Sequence, residues 1–509
     1  MPSSTLGRAV AYADMARQMH RIKKSTDEVR AERARTLLAQ RMGRLRGLPQ
    51  KVGQLLSMSD DDMRSDTFGD LNDHAEPLPF DEVQPLIETA WGNPLNEVVA
   101  EIDQTGLAAS LGQVHRAVLK DGREVAIKVQ YPEMDRAVAN DLRMLGWLSK
   151  PVGDLRRGFD MNGYRVELRR DLDEELDYRT EANHQRAMRQ TLANCDGWVV
   201  PDVIDELSTD KVLVTAWEPG ESIDAVANWS DSQRRLLGRR LLNGFFHSLF
   251  RTGLVHADPN PGNYRFRLVG NDPQIVLYDY GCVHRLSPEK RLMLLKLIAM
   301  TMEQKGDPFK VLVGLGFNGE LLEPLREKLP AVCRVLCAPF AGGSGDDSTW
   351  RLGERIGDIL GSDRWNFRIA GPPDLIWLLR AFRGASYYLS RMDAYVSWEY
   401  AIRPFLTERA VELAAIDVSS PEPTSGLEGQ ARHLRIRVRK DGREKVSLTF
   451  PALAVDDLEM LMEADLRDKL RQDGLEISQF VKRARQEGYR PQSLFSLEDN
   501  KKLVDVWLE

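Results

Sequence analysis

Residues 255–266 read VHADPNPGNYRF, and residues 275–282 read IVLYDYGC. The first stretch sets His256, Asp258 and Asn263 on a turn stiffened by Pro259 and Pro261, between apolar residues. The second is an apolar run that ends at Asp279, as a buried strand does, and turns at Gly281. A carboxylate on a stiff loop, an amide five residues later and a second carboxylate at a strand end suit divalent-metal phosphoryl transfer. In that chemistry Asn263 and Asp279 hold Mg²⁺ against phosphates, while Asp258 orients the acceptor hydroxyl.

Upstream, Lys128 stands in "VAIK" on an alternating strand pattern, and Glu181 follows on a segment of helical period. The order Lys128, Glu181, Asp258, Asn263, Asp279 is the order of the protein-kinase motifs. The interval from Asp258 to Asn263 equals that of the H-R-D-x-x-x-x-N loop, and His256 takes the place of its histidine. Alone, each piece has a bland reading: an Asp-Pro turn is usually a turn, and a strand lysine usually faces solvent. Five positions in one order outweigh those readings. Lys128 is then expected to contact the α- and β-phosphates and to be held by Glu181.

The wider pattern agrees. "EVVAEID", "GQVHRAVL" and "REVAIKVQY" alternate or run apolar, and Asp121-Gly122 joins the last two as a hairpin. Helical periods dominate 133–192, short strands follow near 197–201 and 211–217, and 231–415 reads as helix apart from a strand pair around 263–279. "SSPEPTSGLEGQ" from Ser419 has linker composition, and beyond it two alternating strands flank Asp441-Gly442, followed by helical periods near 456–486. The expectation is an α+β chain: a helical extension over 1–95, a small β-rich lobe over 96–218, a helical lobe over 219–418, a linker over 419–430 and a small α+β domain over 431–509.

Composition excludes several classes. With 42% hydrophobic and 29% charged residues over 509 positions, the chain is globular and large enough for more than one core. A net charge of -7 argues against nucleic acid as partner. Cys195, Cys282, Cys333 and Cys337 form no CxxC pair and no disulfide or zinc spacing, which fits a reducing, cytoplasmic setting. No window approaches the roughly 18 apolar residues of a membrane span. In residues 6–47, Tyr12, Met15, Met19 and Ile22 recur on one helical face beside Arg and Lys. Docking on its own protein is the first reading of that face, and peripheral contact with an anionic membrane the second.

Taken together the motifs resemble the UbiB/ADCK family of atypical kinases, whose members are linked to coenzyme Q biology. The resemblance rests on "KVGQ" (Lys51, Gln54), "LAASLGQVHRA" from Leu107, "ELDY" with Glu175 and Asp177, "HADPNPGN" and "DYG", and it covers roughly 45–415. It implies a protein-kinase-like bilobal fold that binds Mg²⁺ and ATP or ADP, with nucleotide contacts from Ala108, Ala109, Ser110, Gly112, Gln113, Lys128 and Glu218. It also implies that Lys51 and Gln54 fold across the active site near Glu175 and Asp177, restricting access. Small residues at 108–112 suit a phosphate loop on physical grounds too, since backbone amides approach phosphate only where side chains leave room. The chain departs from the family pattern at Leu107, usually Ala, which puts nucleotide preference in question, and at Asn260 and Tyr280, which stand for His and Phe.

After Gly281 the chain moves at once to a helix capped at Ser287 with Pro288 at its first position, so the segment that serves conventional kinases as a peptide platform is nearly absent. The expected activity is therefore that of an ATPase or a phosphotransferase for a small molecule, lipid or isoprenoid, in support of ubiquinone biosynthesis or lipid homeostasis. The alternatives are a nucleotide sensor without turnover and, behind it, a conventional Ser/Thr kinase.

Overall fold

The computed structural model describes residues 77–109, 111–134, 136, 176–341, 352–372, 374–419, 426–440, 443–462, 464–472, 474–499 and 502–509. The chain divides into two compact units. The first comprises residues up to 240 with 254–284 and 377–384, and the second comprises 241–253, 285–376 and 385–509.

The first unit begins with helix α1 (Phe80–Trp91) and an antiparallel sheet of β1 (Val99–Ile102), β2 (Leu107–Ala108), β3 (Gly112–Leu119), β4 (Glu124–Gln130) and β6 (Val212–Ala216), in the order β1-β3-β4-β6 with β2 paired to β3. Alternation decides its faces. Val125, Ile127 and Val129 of β4 are buried with Val212 and Val214 of β6 and with Val83 and Ile87 of α1. With a side-chain period of two, Lys128 must then project from the opposite face. The β3–β4 turn is the expected Asp-Gly hairpin: Gly122 has φ 89°, and the Gly122 amide donates to the Leu119 carbonyl at 2.9 Å. Helix α2 (Tyr178–Leu192) lies on the Lys128 face, where Tyr178 and Ala182 are buried with Leu213.

A second sheet orders β5 (Trp198–Val199), β9 (Asp272–Leu277) and β8 (Tyr264–Val269), with β5 parallel to β9. Helix α3 (Asp231–Phe246) is joined to it where the Trp198 indole donates to the Arg240 carbonyl at 2.8 Å. Strands β7 (Leu254–His256) and β10 (Val283–Arg285) form a two-stranded ladder.

In the second unit, α4 (Pro288–Glu303) starts as the sequence indicates, with the Ser287 hydroxyl accepting from the Lys290 amide. It is followed by α5 (Leu329–Leu336), α6 (Leu352–Leu360), α7 (Leu375–Arg391), whose residues 377–384 belong to the first unit, and α8 (Trp398–Glu408). Phe246, Phe340 and Trp398 form an aromatic core with ring centroids 5.5–5.8 Å apart. The C-terminal sheet orders β12 (Arg443–Pro451), β11 (His433–Lys440), β14 (Lys502–Leu508) and β13 (Gln492–Asp499), all antiparallel, with α9 (Ala464–Gln472) and α10 (Ile477–Gln486) between β12 and β13 in sequence. Lys440 pairs with Arg443 at the end of the β11–β12 ladder, and Asp441 and Gly442, expected as its turn, lie outside the described residues. Buried Arg485 of α10 donates to Asp456 at 2.8 Å and to Glu354 and Asp358 of α6 at 2.9 Å each, which ties this sheet to the helices of its own unit.

Small β-sheets and a helix-rich remainder make the α+β, protein-kinase-like architecture that the motif order implied.

Candidate active site

Lys128 leaves β4 on the face opposite the core, and its Nζ donates to Glu181 Oε1 at 2.6 Å, Glu181 Oε2 at 2.9 Å and Asp279 Oδ2 at 3.1 Å. Three residues read as a kinase set from their order alone thus meet at one ammonium group. Burial works against the charge on Lys128, but Asp279 and Glu181 outweigh it and hold the amine protonated, its pKa well above the usual lysine range. Glu181 is only 2% exposed. Burial pushes its carboxyl up and Asp279 adds to the rise, while Lys128 opposes both. Burial also works against the charge on Asp279, yet Lys128 and the Gly281 amide bring its carboxyl below the usual value.

The strand end that carries Asp279 is fixed from several sides. Asp279 has φ 54°, a left-handed conformation rare for a residue other than glycine, and its Oδ1 accepts from the Gly281 amide at 3.1 Å. The Asp279 carbonyl accepts from His256 Nε2 at 2.8 Å, which leaves His256 Nδ1 to accept from the Tyr264 hydroxyl at 3.4 Å. Burial pushes the His256 pKa below its ordinary value, so the ring is neutral at neutral pH. Tyr280, in the place of a phenylalanine, is buried without loss: its hydroxyl donates to the Leu277 carbonyl at 2.6 Å, and its amide donates to Glu181 at 3.2 Å.

Asp258 follows β7 on the proline-stiffened turn. The Asn260 side chain accepts from the Gly262 amide at 2.8 Å, and the Asn263 amide closes the turn on the Asn260 carbonyl at 2.9 Å. Asn263 Nδ2 donates to Asp258 Oδ2 at 2.8 Å, and Arg380 pairs with Asp258 Oδ1. Helix α7 makes this approach at two points one turn apart. Gly384 lies so close to Pro259 that a Cβ there would stand 2.2 Å from the proline Cβ, and Arg380, four residues earlier, reaches the carboxylate. Nothing in the sequence marked Arg380; an arginine and a glycine four apart on a helix carry no signal without knowledge of what they face.

The small-residue loop is partly described. Ala108 lies on β2, and the Ala109 amide donates to the Gly112 carbonyl at 2.8 Å, which closes the loop. Gly112 is required there, since a Cβ would meet the Val129 carbonyl at 2.2 Å. Leu107 is 65% exposed. Gln113, expected among the nucleotide contacts, turns its side chain the other way. It is fully buried, accepts from the Leu78 amide at 2.7 Å, donates to the Leu78 carbonyl at 3.1 Å and meets His115 Nε2 at 2.9 Å. The side chain therefore braces the sheet. Glu218 is also committed elsewhere: its carboxylate pairs with Arg267 at 2.7 Å and its carbonyl accepts from the Tyr278 hydroxyl. Asp177 is the N-cap of α2, accepting from the Arg179 amide at 2.9 Å. Lys51, Gln54, Ser110 and Glu175 lie outside the described residues.

Among the described residues no group of three or more His, Cys, Asp or Glu is placed to hold a metal by itself. The donor set suits Mg²⁺, which binds through one or two carboxylates and completes its shell with water and phosphate oxygens. Asp279 could supply the carboxylate, and Asn263 an amide oxygen, its nitrogen being turned to Asp258.

A lysine held by a helix glutamate, a loop aspartate paired with an asparagine and a strand-end aspartate define a protein-kinase-like domain. Residues 70–310 match the ABC1 atypical kinase-like domain. The chain is 28% identical to the atypical kinase coq-8, mitochondrial, of Caenorhabditis elegans over 70% of this chain and 48% of that protein, and so spans about half of that relative's length. Similarity to the atypical kinase COQ8B, mitochondrial, of Rattus norvegicus is 27% identity over 73% of this chain and 70% of that protein. A solved structure of Rv3197 from Mycobacterium tuberculosis, in complex with erythromycin, matches with a TM-score of 0.51 and 25% identity over 75% of this chain and 98% of that one. No helix among the described residues is long and apolar enough to cross a membrane.

Proposed function

We propose that this chain binds a Mg²⁺–adenine nucleotide and acts as an ATPase or as a phosphotransferase for a small molecule or lipid. The convergence of Lys128, Glu181 and Asp279 carries the reading, because it sets a fixed cation beside a strand-end carboxylate. Lys128 would contact the α- and β-phosphates, with Glu181 holding it in place. Asn263 and Asp279 would hold Mg²⁺, which when bound neutralises charge on the transferring phosphate. Asp258 would orient the attacking hydroxyl or water and take up its proton. The short passage from Gly281 to α4 leaves little platform for a peptide, which favours a small acceptor. The similar structure of Rv3197 is a complex with a small organic molecule, erythromycin, which is in keeping with a small ligand here. Support of isoprenoid quinone biosynthesis is the biological role that the kinship with coq-8 and COQ8B suggests.

One observation favours a second reading, a nucleotide sensor with little turnover: both oxygens of Asp258 are engaged, one by Asn263 and one by Arg380. An ATP-turnover assay on wild type and Asp258→Asn, with and without lipid vesicles, separates the two. Turnover abolished by the substitution supports catalysis. Mg²⁺-dependent nucleotide binding without turnover in either protein supports the sensor.

A further inference from the structure

We propose that Cys282 is a nucleophilic thiol activated by His284, and a site of modification by peroxides and soft alkylating electrophiles. Cys282 follows Gly281 directly and is half-buried. Its Sγ lies 3.6 Å from His284 Nε2, within range of an S–H···N hydrogen bond. The His284 ring is fixed in turn by stacking on Trp377, with centroids 4.7 Å apart and planes 12° from parallel. Nucleophile, base and a group that orients the base are the three parts from which an activated thiol is built.

The other cysteines supply the contrast. None of the four is in a disulfide. Cys333 and Cys337 are buried, and burial raises both thiols, that of Cys337 to about 12, which keeps them protonated and inert. Cys195 is half-buried like Cys282 and serves as the internal standard.

The reaction balances with a peroxide as oxidant. His284 takes the thiol proton, the thiolate attacks one peroxide oxygen, the O–O bond breaks, and the departing hydroxide recovers the proton as water. The sulfur is left as a sulfenic acid, oxidised by the two electrons that reduce the peroxide. With an alkyl halide the same thiolate displaces halide and forms a thioether.

Two lines of contact lead from this thiol to Asp258. The Cys282 carbonyl accepts from the Ala257 amide at 3.0 Å, one residue before Asp258. On the other side, Trp377 lies under the Arg380 guanidinium at 5.9 Å, and Arg380 pairs with Asp258. An adduct at Cys282 displaces His284 and Trp377 and with them the support of Arg380. Loss of turnover on oxidation is therefore expected, and that consequence alone rests on the proposed role of Asp258.

The test uses the full-length protein. Wild type and His284→Asn are treated with limiting iodoacetamide, quenched over time, and each cysteine is quantified by peptide mass spectrometry. Expected is alkylation of Cys282 on the order of tenfold faster than Cys195 in wild type, falling to the Cys195 rate in the variant. Hydrogen peroxide followed by dimedone should place the sulfenic-acid adduct at Cys282. Equal rates at Cys282 and Cys195 in wild type overturn the proposal without reference to any variant. Cys282→Ser should keep turnover and lose peroxide sensitivity; selective labelling with peroxide-insensitive turnover overturns the link to Asp258. Selective labelling in a protein that shows no turnover supports the thiol assignment and counts against the phosphotransfer reading alone.

Discussion

Arg380 and Asp258, 122 residues apart in sequence, form an ion pair in which both side chains are largely withdrawn from water, at 10% and 20% exposure. The pair joins helix α7 to the loop that carries the candidate base. Truncating Arg380 leaves a carboxylate that has lost one of its two donors, and breaking a buried pair from one side costs about 3 kcal/mol. Arg380→Met is therefore expected to lower the unfolding free energy by about that amount, measured by urea denaturation. The double variant with Asp258→Asn should cost about 1–2 kcal/mol less than the sum of the single changes. Strict additivity would show that the two groups are not energetically coupled.

Asp279→Asn removes a formal charge from the proposed metal site and one of the two anions that hold Lys128 protonated. Mg²⁺-dependent nucleotide binding should weaken about tenfold or more, a loss of about 1.4 kcal/mol or greater. Thermal shift with ADP and ATP, with Mg²⁺ and with EDTA, reads the effect. A variant whose Mg²⁺-dependent shift matches wild type removes Asp279 from the metal site.

Much of this site could be read in the sequence, because local rules govern its parts. Period-two burial of Val125, Ile127 and Val129 forces Lys128 to the other face, and Asp121-Gly122 sets the hairpin that brings β4 beside β3. The order of Lys128, Glu181 and Asp279 then identified partners that the fold brings within 3.1 Å of one ammonium group. What stayed hidden depends on distant contacts. Arg380 gains meaning only when Gly384 lets α7 approach Pro259. Gln113 sits in a motif that looks phosphate-facing, yet its side chain is spent on the Leu78 backbone, 35 residues earlier. Glu218 is claimed by Arg267 from a strand of another sheet. Asp177, grouped with Glu175 as a gate, has a local duty as helix cap that its position before α2 could have revealed.

Arg485 is the centre of a buried charge cluster: it pairs with Asp456, Glu354 and Asp358, while the Tyr489 hydroxyl donates to Asp456 at 3.1 Å and Arg355 pairs with Asp456 at 2.6 Å. Removing it takes one of two arginine partners from the buried Asp456 and breaks the link to Glu354 and Asp358 of α6. Arg485→Ala is expected to loosen the C-terminal sheet from α6 and to speed release by subtilisin, a protease of broad specificity, of a fragment of about the last eighty residues, cut within the linker-like stretch 419–430. Mass spectrometry of timed digests decides. First cleavage inside 431–509 in both proteins would mean that the C-terminal sheet is not an independently folded piece.

Lys51 of the "KVGQ" element offers the sharpest contrast between gating and structure. The family resemblance folds it over the site near Glu175 and Asp177, whereas a simple surface lysine would do nothing. Asp177 already accepts from the Arg179 amide as the cap of α2. Asp177→Ala should therefore cost about 1 kcal/mol of stability whatever Lys51 does. Lys51→Ala should behave differently: removing a cation from a barrier over the site loosens it, so ADP and ATP affinity or autophosphorylation should rise. Stability should change by less than about 0.5 kcal/mol if Lys51 has no buried partner. Affinities and autophosphorylation of the two proteins under matched Mg²⁺ distinguish the cases. Values identical to wild type for Lys51→Ala sink the gate, and complete loss of nucleotide binding would make Lys51 a phosphate ligand instead.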